Sequence, residues 1–237
     1  MERIEASDYH DIAKLSDPQV SPSSDRVAYV QSQPDGDDEY ESTIHVAQIG
    51  GDEPQRFTAV EGSDSQPRWS PDGQTLAFVS ADRGEDDPSA QLWLLPTGGG
   101  EAKRVTNVVG SISGVTWSPD GSKIAFTQST TEKEREEGHD IDVDEDYERE
   151  DPDPRVIDRL IYRQNASYND GKRSHVYTYD IDSEEISRLT EGNRDFVGVE
   201  WGNNDELYYA VKRGEMPDDS YEYDVDKYDI EDDAANT

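Results

Sequence analysis

Three features of the chain predict an all-β fold built from repeated four-stranded antiparallel sheets. A phrase recurs as VSPSSDRVAYV from Val20, WSPDGQTLAFV from Trp69, WSPDGSKIAFT from Trp117 and WGNNDELYYAV from Trp201. A second phrase closes the unit as IHVAQIGGDEPQRFT (44–58), LWLLPTGGGEAKRVT (92–106) and VYTYDIDSEEISRLT (176–190), each ending on Thr after a basic and an apolar residue. Within both phrases β-branched and aromatic residues gather in short runs between turns of Pro, Asp and Gly, the composition of strands joined as hairpins.

The phrase starts lie 49, 48 and 84 residues apart, and removing some 36 residues from the long step restores the period. A period near 48 with four strands per unit is the mark of a β-propeller blade. The predicted fold is therefore an incomplete propeller, three blades and most of a fourth, at about 17–58, 65–106, 113–190 and 196–237.

Ahead of the first blade, residues 1–16 form a lead-in. In SDYHDIAKL (7–15), Ser7 is a candidate N-cap and Tyr9, Ile12 and Ala13 share a face, which predicts a short helix. In the opening phrase Pro71 or Pro119, Asp72 or Asp120, and Gly73 or Gly121 occupy the second to fourth positions of a type I turn. The Trp before that turn is expected to pack between adjacent blade sheets, as core and nothing else. Apolar residues then alternate, as in Leu76 and Phe78, Ile124 and Phe126, and Val176 with the neighbouring Tyr177 and Tyr179.

The long step holds an acidic insertion at 129–156. Thirteen of the 22 residues from 132 to 153 are acidic, and the stretch is read as a solvated, mobile loop between the second and third strands of the third blade. RVIDRLIYR (155–163) then regains strand character. Aligning YDIEDDAANT (228–237) on YDIDSEEISRLT (179–190) sets Thr237 opposite Arg188, so the chain is expected to be an N-terminal piece of a longer polypeptide.

Composition excludes several functions. The formal net charge is -34, spread along the whole sequence, with 15 Arg against 7 Lys, which is read as the surface of a halophilic protein. Such a field repels nucleic acid and anionic membranes. There is no Cys, hence no thiolate chemistry or disulfide frame, and no apolar run of signal or transmembrane length, so the expected compartment is the cytoplasm.

No catalytic, cofactor-binding or metal residue is assigned. GSISG (110–114) carries Ile112 where a nucleophile elbow needs Ser. His10, His45, His139 and His175 show no metal-ligand spacing. Asp140, Asp142 and Asp144 match the start of a calcium loop until Glu145 replaces the required Gly. The Gly98–Gly100 run is a hairpin turn, and Asn165-Ala166-Ser167 is a chance glycosylation triplet.

LSDPQVSPSSDRVAYV (15–30), the two WSPDG phrases, the RFT and RVT closures, RLIYR, DGKRSHVYTYDI and RLTEG together resemble the N-terminal β-propeller of the prolyl oligopeptidase family of serine peptidases, in its acylaminoacyl-peptidase branch. That resemblance, which covers nearly the whole chain, implies a propeller, usually of seven blades, that admits only short peptides to an α/β-hydrolase domain carrying Ser, Asp and His. The implied partners are that hydrolase domain, the remaining blades and short peptides, with self-association through open blade edges. WGNND in place of WSPDG is a departure from the pattern. The alternative reading is a TolB-like propeller acting as a protein-interaction module without enzymatic activity.

Overall fold

The computed structural model describes residues 9, 12–35, 39–51, 53–58, 62–81, 89–144, 147, 163–164, 167–168, 171–214, 217–219, 221–230 and 234–236. They fall into two compact units, Met1–Thr106 and Asn107–Thr237.

The first unit holds β1 (Lys14–Val20), β2 (Arg26–Asp35), β3 (Glu39–Gln48) and β4 (Gln55–Arg56), then β5 (Ser63–Trp69), β6 (Thr75–Ala81), β7 (Gln91–Pro96) and β8 (Lys103–Arg104). Each four is an antiparallel meander, and a single parallel bridge, Ser42 to Ser63, links the two. The strand begins at Lys14, so the last two residues of the predicted helix are β-structure; Tyr9 lies in a 3-10 turn whose carbonyl accepts from Ile12 N at 3.2 Å. The rest of that span, apart from Tyr9 and residues 12 and 13, lies outside the described residues.

The second unit holds β9 (Ile112–Trp117), β10 (Lys123–Thr130), α1 (Glu132–Glu136), β11 (Arg163–Gln164), β12 (Ser167–Tyr168), β13 (Arg173–Asp180) and β14 (Ile186–Arg188), followed by β15 (Asp195–Trp201), β16 (Glu206–Lys212), β17 (Asp224–Asp229) and β18 (Ala234–Asn236). Its two four-stranded sheets run β14-β13-β10-β9 and β15-β16-β17-β18, with β11 and β12 as a separate hairpin. The insertion leaves the third sheet between β10 and β13, which pair directly along their whole length. Residues 155–162, read as strand-like, lie outside the described residues.

The turn chemistry repeats atom for atom. Ser70 N donates to Thr75 O at 2.8 Å and Gly73 N to Ser70 O at 2.8 Å, while the Ser70 hydroxyl donates to Asp72 and accepts from Thr75 N. Ser118, Asp120, Gly121 and Lys123 reproduce this set. In the first blade Ser24 takes the left-handed conformation (φ 59°) that Gly73 and Gly121 take in the next two. The fourth turn is one residue shorter: Trp69 and Trp117 pair with Leu76 and Ile124, seven positions on, but Trp201 pairs with Leu207, six positions on. Gly202 N bonds Glu206 O there, and the Asn203 side chain accepts from two backbone amides, so WGNND is a tighter turn at the same place.

The closing Thr has a single task. Thr58, Thr106 and Thr190 are buried, and each hydroxyl accepts the backbone N–H of Ile44, Leu92 or Val176 at 2.9 Å. A short fourth strand cannot extend the ladder that far, so a side chain satisfies the amide in its place. The basic residue two positions earlier folds back onto the Thr carbonyl in the first two blades, from Arg56 Nε at 2.7 Å and Arg104 Nε at 2.8 Å.

One repeated feature has no counterpart in residue type. In every innermost strand the register slips three residues before the Trp position, and the bulged residue has positive φ: Asp17 (48°), Gln66 (52°), Gly114 (66°) and Gly198 (66°). A bulge of this kind bends the strand and increases its twist, here once per blade.

Candidate functional site

Each unit contains one joint between successive blades, and the two joints are built alike. In the first, Trp69 leaves the end of β5 and packs with Leu76, Phe78 and Leu95 against Ala28, Ile44 and Val46 of the first blade. Its indole Nε1 donates to the Gln19 carbonyl at 3.0 Å, and the Arg26 guanidinium lies 4.7 Å from its ring centre. In the second, Trp201 donates to the Thr116 carbonyl at 3.3 Å, while Phe196, Val199, Leu207, Tyr209 and Val211 pack against Ala125 and Val176 of the third blade. Gln19 and Thr116 both stand one place before the Trp position of their own blade, so the same bond is made twice between equivalent atoms. Each fully buried Leu or Phe in such a joint contributes about 1.5–3 kcal/mol. The expected wedge is present, and its polar end fixes the register between sheets.

An aromatic pair crosses strands two and three of the first three blades: Tyr29 with His45 (5.7 Å), Phe78 with Trp93 (6.4 Å) and Phe126 with Tyr177 (5.6 Å). In the fourth blade the partner opposite Tyr209 is Asp226, buried and paired with Arg213.

Part of the acidic insertion is folded rather than solvated. Thr131 caps α1 in a reciprocal box with Glu134, whose carboxylate accepts from Thr131 N at 2.7 Å. Past the helix, Asp140 is fully buried, its Oδ2 accepting from the Tyr177 hydroxyl at 2.9 Å and pairing with Arg188 Nη1 at 2.5 Å. Backbone bonds from Val109 N to His139 O and from Val143 N to Asn107 O, both 3.0 Å, tie the segment to the lead into β9. Burial and then the Asp140 carboxylate push the Tyr177 phenol above its ordinary range, so it stays a donor. An acidic run reads as solvent-facing; here one carboxylate has found a cation and a phenol and turned inward.

The described histidines pack against neighbouring aromatic rings. His45 stacks on Tyr29 and lies 3.2 Å from the Thr43 hydroxyl. His139 sits 3.6 Å from Glu137 and 4.2 Å from the Tyr147 ring. His175 is fully buried between Thr190 (3.2 Å) and Phe196 (5.3 Å), and burial, reinforced by Arg135, lowers its pKa to about 3. His10 lies outside the described residues. Of the calcium-like run, Asp140 is committed to Arg188 while Asp142 and Asp144 face solvent. Among the described residues no group of three His, Cys, Asp or Glu converges as a metal set. The glycines of GSISG are backbone devices: a Cβ on Gly110 would lie 2.6 Å from Gln128 Oε1, and Gly114 is the bulge.

Repeated four-stranded meanders, wedged by Trp and sealed by Thr, define a β-propeller. The sequence matches the TolB β-propeller domain family over residues 4–147, and the chain belongs to that family. Over 84 residues it is 43% identical to the uncharacterized peptidase YuxL of Bacillus subtilis, a match spanning 34% of this chain and 12% of that protein. In three dimensions it is similar to the Pyrococcus horikoshii acylaminoacyl peptidase, with TM-score 0.63, 23% identity, and coverage of 93% of this chain and 32% of that one. It is also similar to the β-propeller domain of the Trilobed protease from Pyrococcus furiosus (TM-score 0.60, 19% identity, 96% and 57% covered). A putative TolB from Agrobacterium tumefaciens is a further likeness (TM-score 0.57, 15% identity, 94% and 64% covered). The chain is thus a propeller domain resembling those of acylaminoacyl peptidase and related serine peptidases, and it spans about a third of the length of the peptidase structure. No helix among the described residues is long and apolar enough to cross a membrane.

Proposed function

We propose that this chain is the substrate-gating, non-catalytic part of a serine peptidase that releases residues or short peptides from peptide N-termini. The observation that carries the reading is the 43% identity to a peptidase over 84 residues, joined to the likeness to peptidase propellers. In this reading the nucleophile, base and oxyanion donors come from an α/β-hydrolase domain on the same polypeptide, and the propeller excludes large substrates. The acidic surface keeps the protein hydrated in a salt-rich cytoplasm, and the 237-residue chain by itself self-associates.

The test is the intact mass of the native gene product together with hydrolysis of an acetyl-alanine reporter in molar salt. A product about two to three times this length that cleaves the reporter is expected. A longer product that carries only further WSPDG repeats and lacks activity would refute the peptidase reading and favour a TolB-like interaction module.

A further inference from the structure

The last strands of the first three blades, β4, β8 and β14, all end on Arg, and the third blade uses that Arg differently. Arg56 and Arg104 turn Nε onto the carbonyl of the Thr two places on, at 2.7 and 2.8 Å. Arg188 instead gives Nε to the carboxylate of Glu191 at 2.9 Å, on a side chain 71% exposed, and Nη1 to the buried Asp140. The Thr190 carbonyl, also two places on, is therefore a second seat for Arg188, at the place its counterparts occupy.

The segment that brings Asp140 to Arg188 is held by polar bonds. Of residues 139–144 only Asp140 is buried. Its backbone carbonyl accepts from Gln128 Nε2 at 2.5 Å, and the seam with the lead into β9 consists of the Val109 N to His139 O and Val143 N to Asn107 O bonds, with Asn107 Nδ2 on the Val143 carbonyl. Both bonds to the Asp140 carboxylate fall on Oδ2; the equally buried Oδ1 meets no donor among the described residues. The carboxylate is thus desolvated but only half satisfied, which lowers the cost of withdrawing it. Helix α1 is anchored separately, by its own capping box and by Arg135 Nη1 on the Thr130 carbonyl at 2.6 Å. Gly138, in the left-handed conformation (φ 79°), marks where the segment turns off from that helix.

We propose that residues 139–143 are a reversible strap across the end of the third blade, keyed by Asp140. Docked, the strap joins the lead into β9 to Arg188 at the end of β14. Lifted, Asp140 returns to solvent and Arg188 turns Nε onto the Thr190 carbonyl, as Arg56 and Arg104 do on theirs. Neither state strands a buried charge, and the ladder between β10 and β13 belongs to both. A segment with few buried apolar contacts opens locally at lower cost than the sheet beneath it unfolds. Every group involved lies within the third blade, so the inference stands apart from the peptidase reading.

Native-state hydrogen exchange of the 237-residue chain in molar salt reads the strap at the Val109 and Val143 amides, which bond across the seam, and the sheet at the amides of β10 and β13. The two seam amides should exchange at least about tenfold faster than the slowest sheet amides and respond weakly to urea, since lifting the strap exposes little surface. D140A should speed the seam amides a further tenfold to hundredfold, roughly, and slow or speed the sheet amides by less than about tenfold. D140N, which keeps the shape and removes the charge, should act in the same direction. A crystal structure of D140A should show Arg188 Nε on the Thr190 carbonyl. Seam amides that exchange only with the sheet, at the same urea dependence, would overturn the proposal. So would D140A and D140N lowering sheet protection as much as seam protection, or Arg188 in D140A still reaching toward the vacated Asp140 site.

Discussion

Gly198→Ala isolates the cost of the bulge that recurs in every innermost strand. At Gly198 the backbone has φ +66°, and an added Cβ meets nothing within 4 Å, so the substitution changes no packing. What remains is the left-handed conformation itself, which costs an L-residue about 1–2 kcal/mol. For a unit of this size that lowers the melting temperature by roughly 2–8 °C. Gly198→Asn should cost less than Ala, because Asn visits this region readily, and Gly198→Val should cost most. Urea and thermal unfolding in molar salt, followed by Trp fluorescence, would give the three values. A Gly198→Ala protein as stable as the parent, or an Asn variant as costly as Val, would refute the claim that the bulge requires this conformation. The reasoning also runs in reverse at Gln66, which holds φ 52° with a side chain. Gln66→Gly relieves about 1–2 kcal/mol of strain but adds about 0.5–1 kcal/mol of unfolded-state entropy, so the net gain is small.

Thr190→Val should cost about 1–3 kcal/mol, because it keeps the shape but leaves the buried Val176 amide without its acceptor; equilibrium unfolding in urea measures it. Stability should also fall with pH in two windows. His175 is held neutral in the fold with its pKa lowered to about 3, so its contribution is complete above the ordinary value of 6.5 and is lost as pH falls below it, by up to about 1.4 kcal/mol per unit. Asp180 (about 2, mainly through Lys123) and the turn residues Asp25, Asp72 and Asp120 are depressed, so their contributions fade only below the usual carboxylate range. A pH series of unfolding curves on His175→Phe should lose the slope between pH 6.5 and 4.5 and keep the lower one.

The blade count, the wedge and the turn were legible because each depends on side chains that repeat: Trp69 and Trp201, Ser70 and Ser118, Asp72 and Asp120. The closing Thr was legible as a repeated letter but not as an amide acceptor, since its partner is a backbone group fourteen residues earlier. The bulge was not legible at all. Asp17, Gln66, Gly114 and Gly198 share a dihedral angle and no side-chain property, and the indole acceptors on Gln19 and Thr116 are likewise main-chain atoms. The lead-in read as helix as far as Leu15, but Lys14 and Leu15 pair with Ser32 and Gln31 as the edge of the first sheet, because backbone pairing to β2 outweighs helical spacing there. Asp140 was hidden by its neighbours, which make one buried carboxylate look like the solvated ones around it.

Departures from the repeat come in compensated sets. In the fourth blade Asp226 stands where His45, Trp93 and Tyr177 complete an aromatic pair, and a carboxylate there is buried without the stacking that an aromatic ring would bring. Such a charge is stabilised by a cation beside it, and Arg213, one residue past β16, reaches both Asp226 and Asp224. The third blade keeps its aromatic pair but admits Asp140 from the insertion, and Arg188, whose counterparts Arg56 and Arg104 bond a Thr carbonyl, is redirected to meet it. Arg173, buried at the start of β13, holds Asp218 through two guanidinium nitrogens, at 3.0 and 3.1 Å. In all three cases the base is Arg, which stays charged when desolvated and can span two acceptors; Lys does neither as well. At these three points the acidic excess meets a guanidinium that neutralises it.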